Sequence, residues 1–494
     1  MKAQTQKVSL GEKIGYSLGD GSANLIFQMM MMFQLFFYTD VFGIKATTAG
    51  MILLAARVFD AFVDPLVGIL SDRTNSRWGK YRPWLLWTAI PFAVFFILAF
   101  STPDLGERGK IIYAGITYTL LMSIYSFNNT PYSSLGGVMT DDIKERTSVA
   151  SVRFVTATIA TFIVQGLTLP LVSKFGQGNA QKGWSLTITL FAIIGIVLML
   201  ITFFSTKERI KPPAHQKTSI KQDFKDLVHS RPWKAMFVLT LFLFTTLAMW
   251  GSSMSYYFNY VVDKMALFDF LQNFGLVSIA GTTYGIWHSF LDAFGLIAQP
   301  DLSNVFAVGF SLFNMIGQLV TLAAVIFLSQ YLSNIFGKRN VFLLCLALTA
   351  VFTSLFFFVP AQSVGLIFTI NILKSLAYAP TIPLLWAMMG DVADHSEWVN
   401  RRRATGFTFA GVVFALKAGL GLGGAICGGI VDSFGFVANQ PQVDSAIHGI
   451  RLTSGIIPAA TFFVGVVALY FYPISKKLNE KVQDELIIRR SQDN

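Results

Sequence analysis

The sequence predicts an all-α membrane protein, with twelve transmembrane helices arranged as two bundles of six. Three observations carry that expectation. Hydrophobic residues make up 53% of the 494 and charged residues only 13%, about half the share usual in soluble chains. Apolar runs of about 20 residues, long enough to cross the hydrocarbon of a bilayer as helices, recur twelve times. A long basic loop falls after the sixth run. So few charges cannot cover a water-soluble body of this size. That excludes a cytosolic globular enzyme, a disordered chain and a protein that binds nucleic acid through a basic surface.

The runs lie near 15–40, 47–70, 84–102, 111–137, 148–173, 185–204, 235–262, 303–330, 341–359, 365–389, 406–432 and 454–473. The first holds Asp20, Asn24 and Gln28 and does not end at a small-residue cleavage site, so it reads as a retained helix and not a signal peptide. With the N-terminus placed in the cytoplasm, 28 of the 38 Lys and Arg fall on the inner side and 7 on the outer. This bias is the one the positive-inside rule requires. It predicts cytoplasmic termini and explains the +11 net charge without a nucleic-acid partner. Cys345 and Cys427 both sit in apolar runs, so neither a disulfide framework nor a thiolate metal site is implied.

The basic loop 205–234 divides the chain into a bundle over 1–204 and a second over 235–494. The loops after the second and eighth runs, GILSDRTNSRWGKYR (68–82) and SNIFGKRN (333–340), echo each other, which suggests duplicated halves. A substrate site between such halves, near mid-membrane, is the expected consequence. Residues 263–302 break the pattern as an outer insertion rich in Phe, Tyr and Trp. They form either a helix pair capping the pathway or a packed loop without a role.

Ionisable residues at lipid depth cost at least about 2.5–3.5 kcal/mol and are usually paired and functional. Arg57, Asp60 and Asp64, at steps of three and four, share one helical face. Two such carboxylates repel and favour whatever neutralises them: a proton taken by one, or a sodium ion held between both. The alternative is a structural triad in which Arg57 compensates the acids. Asp20, Asn24 and Gln28 form a polar stripe, either a ligand site or interhelical glue. Around Pro131 stand Tyr125, Ser126, Asn128, Asn129 and Tyr132, polar groups suited to hydroxyl ligands. Arg153 is a forked donor able to grip two oxygens or to anchor a helix end. Lys417, deep in the eleventh run, needs an acidic partner, and the intramembrane acids without one are in the first half. A bridge between halves that changes with cation occupancy would be a switch. Lys374 is expected to sit less deeply and to snorkel. No HExxH, Walker or GxSxG signature occurs, and the five histidines fall in loops or at run edges, so neither enzymatic activity nor a cofactor is expected.

The strings Arg57-Val-Phe-Asp60-Ala-Phe-Val-Asp64-Pro65 and Arg77-Trp-Gly-Lys80-Tyr-Arg82-Pro-Trp84 resemble the glycoside–pentoside–hexuronide:cation symporters, of which the bacterial melibiose permease is the best-understood member. Pro131-Tyr-Ser-Ser-Leu135, Asp141-Asp142 with Glu145-Arg146, and Asp391-Val-Ala-Asp394 with Arg402-Arg403-Ala-Thr-Gly406 extend the resemblance over nearly the whole chain. It implies a major facilitator fold in a bacterial cytoplasmic membrane. It implies a cation site at Asp60, Asp64 and Ser126, sugar-binding positions at Asp20 and Arg153, and a lysine, Lys417, placed near both sites and counted in the substrate set with Asn129. Val63 replaces an asparagine of the melibiose permease's sodium site, which favours the proton. Asn129 and Ser133 replace an aspartate and a tryptophan at its sugar site, so the sugar differs from melibiose.

The reading is a sugar symporter, for a glycoside, oligosaccharide, pentoside or hexuronide, driven by H+ or Na+ through alternating access. Asn24 and Tyr132 join the substrate set, and Arg57 and Lys374 join Lys417 in a charge network. Its partners are the sugar, the cation and the lipid bilayer, and it acts as a monomer. The alternatives are a same-fold carrier of a non-sugar or amphipathic lipid solute, and a polytopic membrane enzyme.

Overall fold

A computed structural model describes residues 7–140, 142–209, 228–279, 285–401 and 405–492. Most of the 205–234 loop, Asp141, Arg402 and Arg403 lie outside the described residues. The first half is α1 (Leu10–Met32), α2 (Ala46–Arg73), α3 (Arg82–Ala99), α4 (Glu107–Val138), α5 (Ile143–Gly176) and α6 (Ala180–Ser205). The second opens with α7 (Arg231–Tyr256), then two short helices, α8 (Lys264–Gln272) and α9 (Ile286–Ala293). It continues with α10 (Val305–Ala324), α11 (Lys338–Leu355), α12 (Val364–Tyr378) with α13 (Thr381–Asn400), α14 (Thr405–Ser433), α15 (Asp444–Ser454) with α16 (Ile456–Tyr470), and α17 (Lys476–Gln492).

Each of the twelve apolar runs falls on one of these helical passes. Among the described residues, nine passes are apolar enough by composition alone to cross a membrane. The remaining three, α1, α2 and α4, carry Asp20, the Arg57–Asp60–Asp64 group and the Ser126–Asn129 stretch. Their polarity is therefore local, at the points where the chain holds ionisable or amide and hydroxyl groups at lipid depth. Large apolar side chains such as Phe62, Leu66, Phe204 and Phe327 face outward, more than half exposed, as they must where lipid and not water is the solvent.

Two features repeat between the halves. At the start of α3, Arg82 donates to the Phe203 carbonyl at the end of α6, 2.7 Å. At the start of α11, Arg339 donates to the Tyr470 carbonyl at the end of α16, also 2.7 Å. Both arginines follow the Gly-Lys signal of the echoing loops, and both satisfy carbonyls that a helix end leaves without intrahelical donors. The second repeat lies at the opposite end of the molecule, where the first and seventh passes finish in π-helical turns, Phe37–Val41 and Tyr257–Val261.

The Glu208 carboxylate holds the N-terminus of α3. It accepts from the backbone amides of Lys80 at 2.8 Å, Tyr81 at 2.7 Å and Arg82 at 2.9 Å. The approach requires Gly79, whose φ is +112° and whose missing Cβ would stand 2.6 Å from that carboxylate. The halves meet along α14, which packs on both α2 and α7, and along α5 against α10. Where α2 crosses α14 the contact is backbone on backbone: a Cβ on Gly50 would come within 2.8 Å of the Gly424 carbonyl, and one on Gly428 would collide with that of Ala46.

Candidate functional site

The centre of the molecule holds a charge cluster built from three helices. One helical turn separates Asp60 from Asp64 on α2, and both turn towards α14. Lys417 Nζ lies 2.7 Å from Asp60 Oδ2 and also contacts the Asp64 carboxylate. Ser126 of α4 donates to Asp60 Oδ1 at 2.6 Å and accepts from Lys417 at 3.3 Å. Asp60 is fully buried, and Asp64 is about one-quarter exposed. Lys417 is twelve residues from the start of α14, roughly 18 Å along the axis, so the cluster sits near mid-membrane. The ammonium occupies the space a small cation would take between the two acids.

Arg57 departs from the compensating role considered for it. It is buried, but its guanidinium lies over the Phe27 ring, 5.7 Å from the centroid, and the positive partner of both acids is Lys417. Sharing a helical face with the acids does not decide which neighbouring helix a side chain meets, and Arg57 meets α1. Lys374 also departs from expectation. It does not snorkel; its Nζ sits 3.0 Å from the Trp250 ring centroid and lines an internal cavity of about 180 Å³. Gln165, Asn314, Gln318 and Asn371 line the same cavity, together with Met31 and Met32 of α1. It thus lies between the halves.

A second ion pair lies wholly within the first half. Arg153 of α5 grips Asp20 of α1 through two atoms, Nε to Oδ2 and Nη2 to Oδ1, both 3.1 Å. The guanidinium sits over Tyr132, 5.1 Å from its centroid, and Tyr132 stacks on Tyr16 at 4.6 Å. Tyr132 itself is fully buried and donates to the Tyr16 carbonyl at 2.9 Å, so it is a platform beneath Arg153 and not a wall of open space. Asn24 donates to the Asp20 carbonyl on its own helix, 2.9 Å. Asn129 is partly buried one step along α4 from Asn128, which donates to Thr88 at 2.7 Å.

At the end remote from the termini the halves are bonded together. Tyr260 donates to the Asp40 carboxylate, Thr39 and Tyr256 share a hydrogen bond of 2.7 Å, and Asn439 donates to the Asp40 carbonyl at 2.7 Å. Thr47 donates to Asp432 at 2.6 Å. The two π-helical turns supply Asp40 and Tyr260, as such turns often do where backbone is remodelled for function. Outside this closure lies a vestibule of about 780 Å³, lined among others by Asp40, Asn179, Asn259, Gln299 and Asp301. At the end bearing the termini, Lys13–Glu145 at 2.8 Å and Lys338–Asp391 at 2.8 Å each join two helices of one half, and Arg209, in the chain just past α6, pairs with Glu12 of α1 at 2.7 Å.

Sequence reasoning expected a site between the halves but missed the amides that line this cavity, and it missed the closure. The polar residues of the fifth, eighth and tenth runs, Gln165, Asn314, Gln318 and Asn371, were the available signal for the cavity, since unpaired amides are costly in hydrocarbon. No comparable signal marked Tyr260 or Asn439, which look like ordinary residues of a span end and a loop.

Comparison with known proteins agrees with this architecture. The chain is 34% identical to the inner membrane symporter YicJ of Escherichia coli (strain K12), over 98% of this chain and 96% of that one. It is 32% identical to the putative glycoside/cation symporter YagG of the same organism, over 98% and 96%, and 31% identical to the isoprimeverose transporter of Lactiplantibacillus pentosus, over 99% and 93%. Among solved structures, the nucleoside transporter NupG superposes with a TM-score of 0.57 at 12% identity, covering 94% of this chain and all of that one. A proton-dependent oligopeptide transporter superposes at 0.63 and 11% identity, covering 94% and 99%. At such identities these two share the fold alone, and the fold is that of the major facilitators. The sequence model of one family matches residues 15–296 and 302–476, nearly the whole chain: this integral membrane protein belongs to the MFS/sugar transport protein family.

Proposed function

We propose that the protein is a cation-coupled symporter for a sugar, of the glycoside, oligosaccharide, pentoside or hexuronide kind, with the proton favoured as coupling ion. The observation that carries this reading is the single ammonium of Lys417 shared between Asp60 and Asp64 across the two halves. A carboxylate pair with one member buried and the other partly exposed, held by a lysine of the other half, is an exchangeable cation seat. A proton, or a sodium ion, arriving at the pair competes with Lys417 and frees it, which loosens one half from the other at mid-membrane. The names borne by relatives that are a third identical, a glycoside/cation symporter and an isoprimeverose transporter, support a sugar as the cargo.

In this mechanism Asp20 and Arg153 bind sugar hydroxyls from the first half, with Asn24 and Asn129 near them and Tyr132 supporting the guanidinium. Lys374, Asn314, Gln318 and Asn371 face the sugar from the second half, and Gln165 from the first. A guanidinium–carboxylate pair with a fixed fork suits vicinal hydroxyls, because one group donates twice and the other accepts twice. Cation and sugar sites then share a coupling free energy that acts equally in both directions. Each charge moved down 100 mV supplies about 2.3 kcal/mol, enough for roughly 50-fold accumulation. The proposed orientation puts both termini in the cytoplasm of a bacterium, so the bonded end closes the outer side and the vestibule opens outward.

The test is sugar binding by the purified protein across a glycoside panel, with and without sodium, at two pH values. Proton coupling requires tighter binding at the lower pH and indifference to sodium; tightening by sodium alone would assign the other ion, and binding of no glycoside would remove the sugar.

A further inference from the structure

Helix α9 is built inside out for a loop surrounded by water. Ile286 is 91% exposed, Trp287 70% and Phe290 51%, and the Trp287 and Phe290 rings stack on one another at 5.5 Å. His288 and Asp292 turn the other way. His288 Nε2 lies 3.3 Å from the Val277 carbonyl oxygen, and Lys174 donates to Asp292 Oδ2 at 2.8 Å. Asp292 and Gly295 line the vestibule. A surface helix in water presents its apolar face to the protein; this one presents it away.

Its depth accounts for the inversion. Lys174 belongs to the last turn of α5, and the chain leaving α9 presses against the same helix lower down. A Cβ on Gly295 would stand 2.5 Å from the Pro170 carbonyl. Pro170 precedes the end of α5 by six residues, roughly 9 Å along its axis. The segment therefore lies beside α5, level with the edge of the hydrocarbon, and not above it. There, acyl chains meet the apolar side and the indole sits at headgroup level.

We propose that α9 is an interfacial lipid anchor, a wall with the wet vestibule on one side and the phospholipid leaflet on the other. The chain suspends it from the second half, the Lys174–Asp292 pair pins it to the first, and the acyl–headgroup boundary covers Ile286, Trp287 and Phe290. Residues 286–293 contain no Lys or Arg, so neutral phosphatidylcholine suffices as partner and anionic lipid adds nothing.

The test uses the full chain in palmitoyl-oleoyl phosphatidylcholine nanodiscs, with spin labels at Ile286→Cys, Trp287→Cys, Phe290→Cys and, as the vestibule control, Asp301→Cys. Both native cysteines are buried and are replaced by serine. The ratio of oxygen to aqueous nickel accessibility at 286, 287 and 290 is expected to exceed that at 301 by about tenfold, with no change when a third of the lipid is made anionic. Ratios equal to that at 301 overturn the proposal. So does spin–spin broadening at 287 that vanishes on dilution with unlabelled chain, because a second copy would then cover the face. Independently of labelling, Trp287→Phe is expected to remove part of the fluorescence quenched by dibrominated phosphatidylcholine; unchanged quenching also overturns it.

Discussion

Lys417 Nζ lies 2.7 Å from Asp60 Oδ2, although the two residues are 357 positions apart and belong to opposite halves. The pair is buried, and Lys417 contacts Asp64 as well. Removing the lysine leaves two carboxylates one turn apart with no compensating charge, and breaking such a pair costs about 3–5 kcal/mol. Lys417→Ala is therefore expected to tighten binding of the coupling cation by at least about tenfold while reducing net uptake. Cation titrations of sugar binding check this; weaker cation binding in the variant would show that the lysine is not a competitor.

Asp60→Asn and Asp64→Asn each remove a negative charge from the cation seat. In energised vesicles both are expected to lose concentrative uptake and to retain sugar exchange down a gradient, since the sugar side chains are untouched. Concentrative uptake surviving in both would refute the cation seat.

The Arg153–Asp20 pair is bidentate, Nε and Nη2 on one edge of the guanidinium meeting both carboxylate oxygens, a geometry an ammonium cannot reproduce. Arg153→Lys is expected to weaken sugar binding by about tenfold or more, at a cost of roughly 1.5–3 kcal/mol for a hydrogen bond to a charged group. The melting temperature should move little. Calorimetry of sugar binding beside a thermal melt separates the two effects.

Tyr260 and Asp40 bolt the closed end through a hydroxyl–carboxylate hydrogen bond. Tyr260→Phe deletes the donor without changing the ring. The populations should shift towards the arrangement open at that end by about tenfold or more, as expected for loss of a charge-assisted bond. A cysteine placed at Gln165, in the central cavity, should then be labelled faster by an impermeant thiol reagent added to the outer face of right-side-out vesicles.

Glu208 satisfies three backbone amides at the start of α3. Glu208→Ala removes that cap, with an expected cost of about 1–2 kcal/mol, visible as a lower midpoint in thermal unfolding. Gly79→Ala should cost a similar amount, because its backbone angle and the nearby carboxylate both exclude a side chain.

Much of the architecture was legible in the sequence because a bilayer leaves few options. Apolar runs of the right length had to be helices, and the Gly-Lys echo in two loops marked the points where Arg82 and Arg339 perform the same task. Spacing placed Asp60 and Asp64 on one face, and cost placed a cation opposite them. The same reasoning could not say which way Arg57 turned, because helical periodicity describes one helix and not its neighbours. Nor did it anticipate that Tyr16 would cover Tyr132, or that a ring face of Trp250 would receive Lys374. The bonds at the closed end escaped for another reason: they depend on two π-helical turns, whose extra residue has no signature in hydropathy.

The glycine crossing of α2 and α14 has a mechanical result. With Gly50, Gly424 and Gly428 in the crossing, backbone meets backbone there, and once the Lys417 pairs and the Thr47–Asp432 bond let go the two rods can pivot on each other as on an axle. From Gly428 to the start of α14 is 23 residues, a lever of roughly 35 Å. A tilt of about 10° at that fulcrum would sweep the far tip through roughly 6 Å, so a motion barely felt at the pivot is amplified into a doorway at the other membrane face.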